Sequence, residues 1–145
     1  MKRTAWVIAM LVSMLSMGAW ADSPKQRDAA ELARFERYAS RPQDSMHYFQ
    51  LQKFQYLGKN AQDADVIAVW TGVNQVYLLT LEQPCINLDF AFAIGLTSTA
   101  GNVNARMDYV KYDHGQRCRI MQIQKVDYKA LRAAEQAAKA QSSGT

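Results

Sequence analysis

The amino-acid sequence predicts one α+β domain with a mainly antiparallel sheet of about five or six strands, an N-terminal helix, a C-terminal helix and one disulfide. Helical spacing of apolar residues is confined to the two ends of the chain, and strand-like alternation fills the middle. Of the 145 residues, 124 remain once a predicted leader of 21 is set aside. A chain of this length forms one core and is too short for two.

Residues 1–21 have the features of a removable signal peptide. Lys2 and Arg3 precede an almost wholly apolar stretch over 5–17, and Ala19-Trp20-Ala21 is a cleavage site of the small-x-small type. We therefore expect residues 22–141 to form the domain, in the periplasm or secreted. A retained anchor is the alternative, but the polar sequence that follows fits a cleaved signal better. No later stretch approaches the roughly 20 apolar residues of a membrane span.

Removal of this leader also changes the charge of the chain. The full sequence carries a formal charge of +4, and without Lys2 and Arg3 there are 15 Lys and Arg against 13 Asp and Glu, a net charge of +2. A nucleic-acid-binding domain carries a larger basic excess, so no nucleic-acid partner is predicted.

The segment 23–40 has the start and stop signals of an amphipathic helix. Ser23 is placed as the N-cap, Pro24 in the first turn and Gln26 as the second half of a capping box. Arg41-Pro42 ends the pattern, because the residue before a proline is disfavoured in a helix. The apolar face of this helix is predicted to contain Leu32, Phe35 and Ala39.

The segment 127–141 is rich in Ala, Lys, Arg, Glu and Gln and predicts a second helix, capped by Asp127 and supported by a Glu135 to Lys139 pair. Its large apolar residues are Tyr128 and Leu131. We therefore expect it to dock by its first turn, with residues 142–145 as a disordered tail.

From 45 to 81 the apolar residues follow a period of two, which predicts strands. The phase changes after Leu51, so we expect a bulge or a tight bend near 52–53 that re-registers the strand. Segments 65–70 and 76–81 are nearly all apolar and flank a turn. They predict a β-hairpin that is buried on both faces or packed by the helices.

The sequence of the second half of the domain predicts a short helix and further strands. In order, the predicted elements are a short helix near 88–92 and strands over 94–97, 103–112 and 117–126, with a turn at 113–116. In the 103–112 strand the odd positions, which include Met107, form the predicted apolar face. The phase changes after Ile120 in the last strand, which indicates a bulge there.

Cys85 and Cys118 are the two cysteines of the chain. An even pair in an oxidising compartment predicts one structural disulfide, since reactive pairs usually have a C-x-x-C spacing. The chain-entropy model assigns a loop of this length about 3–4 kcal/mol of stability. Together with His47 and His114 the cysteines show no recognised zinc spacing, so no metal site and no cofactor are predicted.

The most catalytic-looking pair is Asp113-His114, with Thr97-Ser98-Thr99 as conceivable nucleophiles. Adjacent residues rarely form the acid-to-imidazole hydrogen bond of a triad, and a polar hairpin turn explains the pair equally well. We therefore predict no catalytic residue. His47 is expected to be a surface or half-buried residue.

Five cations fall on one predicted hairpin: Arg106, Lys111, Arg117, Arg119 and Lys125. If Arg106, Arg117 and Arg119 share a face, they form a surface for an anionic partner, and Trp70 joins this candidate surface if all four converge. The alternative is a solvated strand face whose charges protect the sheet edge.

Five pieces of the sequence carry a resemblance: Val69-Trp70-Thr71-Gly72, Tyr77-Leu78-Leu79-Thr80-Leu81, Pro84-Cys85, Ile94-Gly95-Leu96-Thr97-Ser98 and Arg117-Cys118-Arg119-Ile120. Together they resemble a family of small, uncharacterised secreted or lipid-anchored proteins of Gram-negative bacteria, a domain of unknown function. The likeness runs over about 30–127. It implies that Cys85 and Cys118 are the family's cysteine pair, and it implies no activity, substrate or cofactor. The chain lacks the lipobox cysteine of some members, so membrane tethering is not implied.

By elimination, these observations favour a non-catalytic periplasmic module that binds a protein or another envelope component. One alternative is a small periplasmic hydrolase or metal-dependent enzyme that uses His114, Asp113 or His47. The other is an inhibitor of a cell-wall hydrolase.

Overall fold

A computed structural model describes residues 23–144, so the predicted signal peptide lies outside the described residues. The elements in chain order are α1 (Pro24–Glu36), β1 (Ser45–His47), β2 (Lys53–Lys59), β3 (Asp65–Gly72), β4 (Gln75–Leu81), β5 (Ile94–Leu96), β6 (Asn102–Asn104), β7 (Tyr109–Tyr112), β8 (Gln116–Val126) and α2 (Tyr128–Ser142). Short 3-10 turns lie at Leu88–Phe90 and Asp113–Gly115.

Six strands form one antiparallel sheet in the order β2-β3-β4-β8-β7-β5, and β1 pairs with β6 in a small second sheet. The large sheet is curled, because Phe54 of β2 and Ile94 of β5, from opposite ends of this order, line the same cavity. The predicted α+β class, with one helix at each end of the domain and a mainly antiparallel sheet, is confirmed.

The β3–β4 hairpin is buried on both faces of the sheet, as predicted. One face encloses a core that includes Ile67 and Leu79, while on the other face Phe35 of α1 and Leu131 of α2 pack around Trp70. The Trp70 ring meets those of Phe35 and Tyr128 edge to face, at centroid distances of 5.9 and 5.8 Å. Each such pair contributes about 0.5–1.5 kcal/mol beyond its buried area.

The predicted disulfide is present between Cys85 and Cys118, whose Cα atoms lie 5.8 Å apart. It ties the loop after β4 to the middle of the sheet. Leu88 of that loop is 1% exposed and belongs to the enclosed core. The Tyr112 hydroxyl adds a hydrogen bond to the Ile86 carbonyl, at 3.1 Å. The loop is therefore fastened covalently, by packing and by a hydrogen bond.

The N-terminal helix begins as predicted but ends earlier. The capping box of Ser23 and Gln26 is present. The helix ends at Glu36, not near Ser40, because the next residues pair with the end of β8 instead. The Ser40 N–H donates to the Lys125 carbonyl at 2.7 Å. Backbone pairing with a distant strand thus replaces the last predicted turn.

The prediction of one strand, re-registered by a bulge or a tight bend near 52–53, is wrong. β1 belongs to the small sheet and β2 to the large one, and Phe49 in the connection between them is 89% exposed. The phase change in the sequence therefore marks a change of sheet. The bulge in β2 lies further on, between Tyr56 and Lys59, where Gly58 has a φ of +93°.

The continuous strand predicted over 103–112 is also wrong. It is divided into β6, a turn at 105–107 and β7. Met107, expected on the apolar face, is 73% exposed, whereas Asp108 is 6% exposed. The buried carboxylate fixes this turn, as its contacts below show.

The bulge predicted after Ile120 is confirmed. Leu81 of β4 pairs with Ile120 and Thr80 pairs with Gln122, so Met121 is the extra residue of β8. Side chains on the two sides of the bulge therefore change phase relative to the sheet.

The C-terminal helix docks by its start, as predicted. The Asp127 side chain accepts from the Ala130 N–H at 3.0 Å, and Leu131 is 1% exposed. Glu135 pairs with Arg34 of α1 at 3.2 Å, rather than with Lys139. The helix continues to Ser142. Across 23–144, no helix combines the length and the apolar character needed to cross a membrane.

Candidate functional site

The helices leave one part of the sheet uncovered, on the side of β7 and β5. The core beneath α1 and α2 takes its sheet residues from β2, β3, β4 and the last residue of β8. Beyond that region, a Cβ placed on Gly95 of β5 would meet no atom within 4 Å. Its neighbours across the sheet are Lys111 of β7 and then Arg117 of β8. We call this surface, formed by Gly95, Tyr109, Lys111, Arg117 and Arg119, the open face.

The alternation of β8 places its two arginines on the open face. Cys118 and Ile120 point into the enclosed core, so Arg117 and Arg119 point to the other side. The pairing of β7 with β8 sets Tyr109 directly opposite Arg119. One tyrosine therefore lies within reach of both arginines.

The geometry at Tyr109 is a double cation–π contact. The Arg117 and Arg119 Cζ atoms lie 5.1 and 5.5 Å from the centre of the ring. Arg119 Nη2 also donates to the Tyr109 hydroxyl at 3.1 Å. Such stacking holds guanidinium groups in place while their outer N–H donors stay available.

The charges on this face are mainly positive. Arg119 Nε lies 3.7 Å from Glu82 Oε2, which is an ion pair without a hydrogen bond. The hydrogen bond to Tyr109, together with the nearby charge of Glu82, raises the pKa of Arg119 above its usual value. Among the described residues, Lys111 and Arg117 have no carboxylate within salt-bridge distance. Three cations thus face one acid.

Two members of the predicted anion surface are placed elsewhere. Trp70 is 7% exposed beneath the helices, so it cannot contact a partner together with the arginines. Arg106 lies in the turn before β7, with a φ of 66°, where its N–H donates to the Ile120 carbonyl at 2.6 Å. It lines a separate cavity with Met107. Arg117 and Arg119 do share a face, as the sequence suggested.

Asp108 was missed by the sequence reasoning and positions the start of β7. Its carboxylate accepts from the Thr97 hydroxyl at 2.7 Å, and from the Asn104 N–H and side-chain amide at 2.7 and 3.2 Å. The Thr97 hydroxyl in turn accepts from the Tyr109 N–H at 2.8 Å. The network fixes the backbone of the residue that carries the double stack. The sequence pattern predicted a continuous strand here and did not indicate a buried carboxylate.

The residues considered for catalysis are not gathered into a site. Asp113 and His114 lie in an exposed 3-10 turn, and His114 has a φ of 52°, which fits the turn interpretation. Thr97 is occupied by the Asp108 network, and His47 is exposed at the end of β1, within the small sheet. Within residues 23–144, no group of three or more His, Cys, Asp or Glu side chains is arranged to hold a metal ion.

The fold and the open face define a class: a small disulfide-bonded α+β domain whose curled antiparallel sheet has a partly uncovered, cationic face. The chain belongs to a family of unknown function (DUF6491), whose model matches residues 1–142. No curated protein and no solved structure matches it.

Proposed function

We propose that this protein is an exported, non-catalytic binding module of the bacterial periplasm that receives an anionic partner on its open face. The partner is a protein or another envelope component with exposed carboxylate or phosphate groups. The observation that carries the proposal is the double stack of Arg117 and Arg119 on Tyr109, on the part of the sheet that the helices leave uncovered.

Preorganisation is the physical reason to favour a partner over a merely solvated strand face. An arginine that is mobile in water loses side-chain entropy when it binds, whereas a stacked guanidinium has already lost part of it. The guanidinium fork matches carboxylate and phosphate oxygens in pairs. The two guanidinium groups can bind a carboxylate or phosphate in a defined orientation, and together with Lys111 they attract an anionic partner electrostatically.

The hydrolase alternative receives no support from a particular observation, because Thr97 is engaged in a structural network and neither histidine side chain forms a hydrogen bond within residues 23–144. The inhibitor of a cell-wall hydrolase would be one form of a binding module. It stays a prediction, since no described feature favours that partner over others.

The proposal is tested by affinity capture of the tagged protein from its own envelope fraction. We compare the wild-type chain with Arg117→Gln/Arg119→Gln and with the control Arg27→Gln/Arg41→Gln, which removes the same charge from exposed positions elsewhere. Charge-assisted hydrogen bonds contribute about 1.5–3 kcal/mol, so each lost guanidinium weakens retention about tenfold or more. The control variant is expected to retain its partner.

Two further comparisons separate specific recognition from overall charge. Arg117→Lys/Arg119→Lys keeps the charge but removes the paired N–H donors of the guanidinium groups and their stacking on Tyr109. We expect this variant to retain less partner than the wild-type chain. Raising the ionic strength should weaken capture of the wild-type chain. Equal retention by the open-face variant and its charge-matched control would contradict the proposal.

Export is tested separately. N-terminal sequencing of the protein recovered from the periplasm is expected to begin at Asp22, after the predicted cleavage site. Recovery of the chain in the cytoplasm with Met1 retained would contradict the proposed location, whatever the open face binds.

A further inference from the structure

A second basic site lies where α1 ends and α2 begins. It is a cavity of about 630 Å³, which is within the range of small-molecule sites. Its walls come from the segment after α1, the β3–β4 turn, the end of β8 and the first turn of α2. The charged and aromatic residues that line it are Arg37, Tyr38, Lys125, Asp127, Tyr128 and Lys129.

Hydrogen bonds and a β-bridge hold these walls together. The Asp127 N–H donates to the Tyr38 carbonyl at 2.8 Å. The Lys125 N–H donates to the Ser40 hydroxyl at 3.1 Å, and Ala39 forms a β-bridge with Val126. The cavity is therefore preformed, and it is lined in part by the segment that was expected to continue the first helix.

The charge of the cavity is strongly asymmetric. Three cations, Arg37, Lys125 and Lys129, line it together with one acid, Asp127. The Asp127 carboxylate caps α2 through the Ala130 N–H, and none of the three cations forms an ion pair with a described residue. The excess of two positive charges matches a dianion better than a monoanion.

Aromatic side chains complete the walls. Tyr38 and Tyr128 are half-buried at the cavity, and the ring of Tyr128 is held edge to face against Trp70. A rigid ring with a polar tip suits the body of a small polar molecule.

We propose that this cavity binds a small phosphate monoester, with the phosphate among Arg37, Lys125 and Lys129 and the body against the tyrosines. A phosphate monoester carries about −1.5 to −2 charges at pH 7, which balances the cavity's excess. The site is independent of the open face, because Lys125 and Arg119 are six residues apart on β8, about 20 Å along the strand.

The test uses glucose 6-phosphate as the probe, with glucose and gluconate as the uncharged and singly charged controls. Amide NMR shifts are followed in the mature, disulfide-bonded protein. We expect glucose 6-phosphate to shift amides at 37–40, 74 and 125–129, with gluconate at least tenfold weaker and glucose without effect. Absence of binding at about 10 mM glucose 6-phosphate would overturn the proposal, since even a millimolar site would be occupied.

Two matched variants locate the site. Lys129→Gln and Lys139→Gln change the same residue type on α2, near its two ends, and Lys129 lines the cavity. Lys129→Gln should lower the affinity for glucose 6-phosphate about tenfold by removing a charge-assisted contact. It is not expected to destabilise the helix, because a cation near a helix N-terminus is unfavourable.

Lys139→Gln and the open-face variant Arg117→Gln/Arg119→Gln should leave binding of the probe unchanged. Equal weakening by Lys139→Gln, or shifts centred on Tyr109, would refute the assignment of the cavity. Because the open-face variant is a control here, failure of this proposal and failure of the proposed partner surface give different results.

Discussion

Replacement of Asp108 by alanine should destabilise the domain strongly. The carboxylate is 6% exposed and accepts three hydrogen bonds, two of them at 2.7 Å. Asp108→Ala removes the acceptor and leaves the Thr97 hydroxyl and the Asn104 N–H without it. A buried polar group that loses its partner costs its full desolvation penalty.

The expected magnitude follows from the two short bonds. Hydrogen bonds to a charged group contribute about 1.5–3 kcal/mol each, so their loss gives about 3–5 kcal/mol after some entry of water into the turn. This is a large share of the 5–15 kcal/mol that is typical of a small domain. Thr97→Val removes one of the two bonds and also the hydroxyl that accepts from the Tyr109 N–H, so we expect about 2–4 kcal/mol for it.

The assay is urea unfolding of the oxidised mature protein, with the midpoint and the slope measured for each variant. A double-mutant cycle tests the network itself. Because Thr97 and Asp108 share a hydrogen bond, Thr97→Val should cost less in the Asp108→Ala background than in the wild-type chain. Additive effects, or a loss below about 1 kcal/mol for Asp108→Ala, would refute this account of the turn.

Three further outcomes are expected. A variant without Cys85 and Cys118 should lose about 3–4 kcal/mol and melt roughly 10–15 °C lower, and an unchanged calorimetric transition would contradict this. Gly58→Ala should lower the free energy of unfolding in urea by about 1–3 kcal/mol, because φ is +93° and the new Cβ would lie 3.1 Å from Asp28 Cβ. A variant as stable as the wild-type chain would contradict that explanation. Burial, with the hydrogen bond to Asp65, raises the pKa of Tyr56, so the folded state keeps a proton that the unfolded chain releases above about pH 10. Stability should therefore fall as the pH rises above about 10, and Tyr56→Phe should flatten that dependence in urea titrations at several pH values; an unchanged slope would contradict it.

Local signals were sufficient for much of the fold. The capping box at Ser23, the cap at Asp127, the β3–β4 hairpin and the bulge after Ile120 each depend on a few neighbouring residues, and each was predicted. The disulfide between the two cysteines followed from their even number and the predicted compartment. These features are encoded in short stretches, where propensity and tertiary structure agree.

The errors lie where distant backbone pairing decides the local structure. Residues 39–40 favour a helix by composition but pair with β8. The strand pattern around 52–53 conceals a change from one sheet to the other. The 103–112 alternation is broken by Asp108, whose partner Thr97 is 11 residues away. None of these partners can be identified from the period of apolar residues alone.

Part of the candidate site was predicted from the sequence, namely the shared face of Arg117 and Arg119, and the stack on Tyr109 was not. The alternation of β8 indicated that Arg117 and Arg119 share a face, and they do. The stack on Tyr109 depends on the register across the 113–116 turn, which the sequence did not specify. Trp70 was a reasonable candidate as the single tryptophan outside the predicted leader, but the helices cover it.

The central claim is that the open face receives an anionic partner in the periplasm, and site-specific photo-cross-linking tests it most directly. A photoreactive phenylalanine analogue replaces Gly95, where the open face has room for it, or Val73, which is 77% exposed on the β3–β4 turn. We expect a discrete adduct from position 95 that disappears with Arg117→Gln/Arg119→Gln, and none from position 73. Adducts that form equally from both positions, or that persist in the open-face variant, would contradict the account.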